Sequence, residues 1–78
     1  MRTFHFYVDD ARCGTPREFV VEAGGEDRAR TLAERMLADS EDHLGVEVCE
    51  DGQRLFGVGS FATRTWCAQA RLRRSASG

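Results

Sequence analysis

Residues 17–37 read REFVVEAGGEDRARTLAERML, and the change of period inside this stretch decides the fold. Before the two glycines the residues alternate: Phe19, Val21 and Ala23 fall on one side, and Glu18, Val20 and Glu22 on the other. That is the pattern of a half-buried strand. After the glycines the spacing becomes helical. Ala29, Leu32, Ala33, Met36 and Leu37 recur at i, i+3, i+4, i+7 and i+8 and make one apolar stripe. Gly25 suits the N-cap, and Glu26 and Asp27 put negative charge on the first turn, where the helix dipole favours it. Arg28, Glu34, Arg35 and Asp39 lie on the opposite face, and the helix is predicted to end around Asp42 or His43, before Gly45.

Toward the N-terminus, Phe4, Phe6 and Val8 alternate with Thr3, His5 and Tyr7, which predicts a strand over residues 2–9. Gly14 and Pro16 break the chain before residue 17, so this strand and 17–23 form an antiparallel hairpin. Toward the C-terminus, Leu44, Val46 and Val48 point inward and Glu47 outward. Asp51-Gly52 then signals a tight hairpin, because a type I′ turn needs positive φ at both central positions. A returning strand follows over 54–60, where Gly57 and Gly59 mark a bulge or a bare patch of sheet. Phe61 to Cys67 reads as a fifth short strand with Trp66 folding back on the body.

The expected architecture is therefore α+β in ββαββ order. An antiparallel sheet of four to five strands carries one helix on one face, around a core of Phe4, Phe6, Val8, Phe19, Val21, Leu32, Met36, Leu37, Val46 and Val48. Residues 1–67 form a single domain, and 68–78 form a flexible basic tail. The other sheet face presents His5, Tyr7, Val20, Phe56 and Val58. Aromatic residues on such a face need cover, from a fifth strand, the tail, a second copy in a homodimer, or an outside partner.

A chain of 78 residues builds one thin core and no deep cleft, which argues against an enzyme. No Gly-rich phosphate loop is present, since Gly24-Gly25 lacks the lysine and Ser/Thr of a P-loop. His5 and His43 have no ligand spacing to a cysteine or carboxylate and no Cys-x-x-Cys occurs, so neither metal nor cofactor is expected. Cys13, Cys49 and Cys67 are odd in number and widely spaced, and read as free thiols of a reducing compartment. No apolar run is long enough to span a membrane and the N-terminus lacks a signal-peptide layout, so the expected location is cytoplasmic.

Charge is unevenly placed. All thirteen acids lie between Asp9 and Asp51, against seven arginines over residues 1–60, so that stretch carries −6. Residues 61–78 hold four arginines and no acid, and there is no lysine anywhere. An acidic body repels phosphate, which disfavours direct nucleic-acid binding by residues 1–60. It suits competition for a basic groove on a protein partner. The candidate partner-binding residues are Glu26 and Asp27 at the helix start, Glu34 and Asp39 on the exposed helix face, Glu50 and Asp51 at the hairpin tip, and Tyr7 and Phe56 on the aromatic face.

The run over 17–37 just quoted, with Val-Glu-Val-Cys-Glu at 46–50 and the late Trp66, resembles small phage-encoded anti-CRISPR proteins of type I systems, over roughly residues 1–67. The resemblance implies an inhibitor that binds a subunit of the crRNA-guided surveillance complex and obstructs target-DNA recruitment with acidic groups. The lysine-based mode of some members has no counterpart here. Phe-His-Phe-Tyr-Val-Asp-Asp at 4–10 and Val-Glu-Val-Cys-Glu-Asp-Gly-Gln-Arg-Leu-Phe at 46–56 are also similar to short uncharacterised bacterial ββαββ proteins, over residues 1–60. That likeness implies the same fold and an interaction module of unknown partner.

Overall fold

The alternation at the N-terminus does form a strand. A computed structural model describes residues 1–67, with β1 (Arg2–Asp10), β2 (Arg17–Ala23), α1 (Glu26–Ala38), β3 (His43–Glu50), β4 (Gln53–Gly59) and a short 3-10 turn at Ser60–Ala62. The expected basic tail, 68–78, lies outside the described residues. The four strands make one antiparallel sheet in the order β2-β1-β3-β4, so the fold is α+β in ββαββ order. The β1–β2 hairpin sets Phe6 opposite Phe19 and Phe4 opposite Val21, as the two alternations require.

The helix lies over one face. Phe4, Phe6, Val8, Val46, Val48, Ala29 and Ala33 are buried there, and Phe19, Val21, Leu32, Met36 and Leu37 pack around them, partly exposed. Each fully buried phenylalanine contributes about 1.5–3 kcal/mol. Ala29 and Ala33 are the only helix residues wholly out of solvent, so the smallest side chains of the stripe touch the sheet and the larger ones flank it.

The helix ends at Ala38, earlier than the predicted Asp42 or His43. Its last turn is closed from outside. Asp39 N–H donates to Met36 O, and His43 Nδ1 donates to the same carbonyl at 2.6 Å, satisfying an oxygen the helix leaves open. His43 thereby begins β3 instead of ending α1.

Two bulges move residues off their expected faces. Between Asp9 and Asp10 the register skips Leu44, which is left 48% exposed and not inward. Between Val48 and Cys49 it skips Leu55, so Phe56 pairs with Val48 and enters the helix-side core at 8% exposure. The guanidinium of Arg30 on the helix covers the Phe56 ring, 4.1 Å from its centroid. Phe56 therefore does not share an aromatic face with Tyr7, as expected from the sequence. The Asp51-Gly52 turn has the expected geometry, with φ of 53° and 77°.

No fifth strand forms over 61–67. After the turn at Ser60–Ala62 the chain crosses the sheet face opposite the helix, held by side chains and not by a strand ladder. Gly57 makes this crossing feasible, since a Cβ there would overlap the backbone carbonyl of Phe61. It is a point of close approach, not a bare patch.

Candidate functional site

The sheet topology gathers acids from separate parts of the sequence. The β2–α1 junction and the β3–β4 turn lie at the same end of the sheet, where β1 begins. Arg2 marks that end. Its guanidinium binds Glu50 through Nε at 2.8 Å and Nη2 at 2.6 Å, and its pKa is raised by that carboxylate and further by the charge of Glu26. Glu50 is in turn held below the usual carboxylate range by Arg2. Glu26 and Glu50 thus both act on Arg2, with Asp27 and Asp51 next to them in the chain, and Glu26, Asp27 and Asp51 are exposed. Glu34 lies midway along the exposed helix face, and Asp39 caps the far end of the helix. Thirteen residues at about 1.5 Å each separate the two helix ends by roughly 20 Å. The six candidate acids are therefore one group of four and two outliers.

Tyr7, placed among the candidates as an exposed aromatic, is 7% exposed. The chain's own segment after Ser60 covers it, together with Cys49, Cys67 and Trp66. Its hydroxyl donates to Glu18 Oε2 at 3.2 Å, an oxygen that also accepts from His5 Nδ1 at 2.8 Å. Burial, then the neighbouring Glu18 carboxylate, pushes the Tyr7 pKa up to about 12. The aromatic docking face expected around Tyr7 and Phe56 does not exist as one surface.

At the centre of the closed face sits a carboxylate that the alternation placed outward. Glu47 does point away from the helix, but it is completely buried. Its Oε1 accepts the backbone N–H of Trp66 at 2.9 Å and of Cys67 at 2.6 Å. Its Oε2 makes an ion pair with Arg54 Nε at 3.2 Å, without hydrogen-bond alignment. Arg54 also donates through Nη2 to Phe61 O at 2.7 Å. Sequence reasoning missed this pair, although an acid between Val46 and Val48 and an arginine on the neighbouring strand were both visible.

At the opposite end of the sheet Asp10, 1% exposed, takes hydrogen bonds from Arg12 backbone N–H, Nε and Nη2, with Arg17 at 3.7 Å and His43 Nε2 at 3.8 Å. Arg12 holds its carboxyl well below the usual range. Beside it a shallow cavity of about 350 Å³ is lined by Asp9, Pro16, Phe61, Arg64 and Trp66 among others, and none of the eight candidate residues reaches it. Among the described residues, no three His, Cys, Asp or Glu side chains are placed to hold a metal ion. No described helix is long and apolar enough to cross a membrane.

No protein-family model, no curated protein and no solved structure matches this chain.

Proposed function

We propose that this protein is a small binding protein whose working surface is the acidic end formed by Glu26, Asp27, Glu50 and Asp51. The supporting observation is that Arg2 is electrostatically coupled to both Glu26 and Glu50, so acids about two dozen residues apart in sequence share one end of the sheet. A cluster built across two elements keeps its geometry when it meets a partner, which is what complementary charge recognition needs. The partner chemistry it fits is a groove lined by lysine and arginine, of the kind that otherwise holds nucleic acid. With the resemblance to type I anti-CRISPR proteins, the specific reading is inhibition of a type I CRISPR effector by occupying the path of target DNA. The place of action is then the host-cell cytoplasm.

The test is target-DNA binding by purified type I effectors in the presence of this protein. The wild type should block DNA binding. A variant with Glu26, Asp27, Glu50 and Asp51 all changed to arginine should lose the block, while Glu34→Arg and Asp39→Arg keep most of it. If the wild type leaves DNA binding by type I-C, I-E and I-F complexes unchanged, the effector is not the target. If the fourfold variant inhibits as well as the wild type, the acidic end is not the surface used.

A further inference from the structure

Cys49 and Cys67 are far apart in sequence and close together in the fold. Cys49 is on β3, on the sheet face away from the helix, and Cys67 ends the segment that crosses that face. They are 1% and 3% exposed and share one cluster with Tyr7 and Trp66. Both converge on the same oxygen, since Cys67 N–H donates to Glu47 Oε1 at 2.6 Å and Cys49 Sγ lies 3.9 Å from it. Burial first, then the neighbouring Cys67, holds the Cys49 thiol far above the usual range. Cys13, by contrast, is exposed in the loop after β1.

We propose that Cys49 and Cys67 are a redox pair whose disulfide fastens the segment 60–67 onto the sheet. The structure describes both as thiols, which is the open form of the device. The oxidant is a small disulfide of the glutathione class. One cysteine thiolate attacks the oxidant's S–S bond and releases one thiolate. The other cysteine, after losing its proton, attacks the resulting mixed disulfide and releases the second thiolate. Two S–H bonds and one external S–S bond are exchanged for one internal S–S bond and two external thiols, so electrons balance.

Burial decides the order of events. A buried, protonated thiol is a poor nucleophile, so exchange proceeds when the 60–67 segment lifts. Cys67 is the cysteine on that segment and is attached through its backbone N–H to the Glu47 carboxylate and through its thiol to Gly52 O, not by a strand ladder, so it reacts first. Closing the ring also confines the β3–β4 hairpin and the turn after it, which stabilises by restricting the unfolded chain. Cys49 precedes Glu50 in the chain and the Cys67 thiol donates to Gly52 O at 3.4 Å, in the turn that carries Asp51, but the disulfide is read from thiol mapping and does not require the acidic end to be a docking surface.

The experiment uses the full chain carrying Cys13→Ser, equilibrated in buffers of varied oxidised-to-reduced glutathione ratio. Thiols are blocked and peptides mapped without reduction, and melting temperature is followed in parallel. The expected result is a peptide joining 49 to 67, formed reversibly, with a melting temperature higher by on the order of 10 °C. Cys49→Ser and Cys67→Ser, each read in the same background, should remove the linked peptide and the shift. Recovery of both cysteines fully blocked by the thiol reagent at every ratio would overturn the proposal. So would a 49–67 bridge that lowers the melting temperature, because it would then oppose the native packing.

Discussion

Glu47 is a fully buried carboxylate that ties β3, β4 and the segment ending at Cys67 together. A buried carboxylate is tolerated only when its charge and lone pairs are met, and here two backbone N–H groups and Arg54 meet them. Removing it leaves those donors facing an apolar gap. Glu47→Ala should destabilise by about 3–5 kcal/mol, measured by urea unfolding. Glu47→Gln keeps an acceptor for Trp66 and Cys67 and should lose markedly less. Equal losses for the two variants would mean that the ion pair with Arg54, and not the hydrogen bonds, holds the segment. Tyr7 gives a second residue-scale test because it is the only tyrosine in the chain. Its folded pKa of about 12 exceeds the ordinary value of 10. The neutral form is therefore the one the fold favours, and its contribution is fully present below pH 10 and is lost as pH rises through about 12. Absorbance at the tyrosinate band should show no ionisation near pH 10 while the protein stays folded. A midpoint near 10 would place the ring in solvent.

At the scale of elements, the helix stripe and the covering segment make different demands on substitution. Leu32 flanks the contact with the sheet and is only partly buried, so Leu32→Ala should cost about 1–2 kcal/mol, below the ~2–5 of a fully enclosed leucine. Gly57→Ala should cost more than its one methyl group suggests, because the added carbon collides with Phe61's carbonyl and must push the turn off the sheet. Fluorescence of Trp66, the only tryptophan, should report that displacement; an unchanged spectrum and melting temperature would show that the segment does not rest on Gly57. These contrasts also mark what the sequence reveals. The switch of period at Gly24-Gly25, the β1–β2 pairing and the Asp51-Gly52 turn are readable because each depends on local spacing or on φ at one position. The bulges at Leu44 and Leu55 are not, since an extra residue in a strand leaves alternation intact on both sides and changes only its phase. That phase error is why Phe56 reads as exposed. Tyr7 reads as exposed for another reason: its cover comes from residues 60–67, and which face a late segment crosses is a tertiary outcome. The acids were legible as residues, but the meeting of Glu26 and Glu50 at Arg2 needed the sheet order.

For the whole molecule, the arrangement of charge sets stability and recognition against each other. Acids with close basic partners, such as Asp10 with Arg12 and Glu47 with Arg54, are stabilised in place. At the acidic end Glu26 and Glu50, with Asp27 and Asp51 beside them in the chain, share Arg2, which offsets part of their mutual repulsion. Arg2→Ala removes the ion pair with Glu50 and the contact with the Phe4 ring, and should lower the melting temperature slightly. The same change makes that end more negative by one full charge. A basic partner should then associate faster, by a few-fold at low salt, because long-range attraction acts mainly on the association rate. Salt separates the two effects further. With a screening length of about 8 Å at physiological ionic strength, added salt relieves the repulsion and narrows the stability gap between Arg2→Ala and the wild type. It also weakens capture by the partner. A surface used for electrostatic docking should therefore show stability and association rate moving in opposite directions, both on loss of Arg2 and on addition of salt. Melting curves and stopped-flow association at two ionic strengths measure all four quantities. If Arg2→Ala slows association instead, the arginine itself contacts the partner, and the recognition surface is the Arg2–Glu50 pair and not the carboxylates around it.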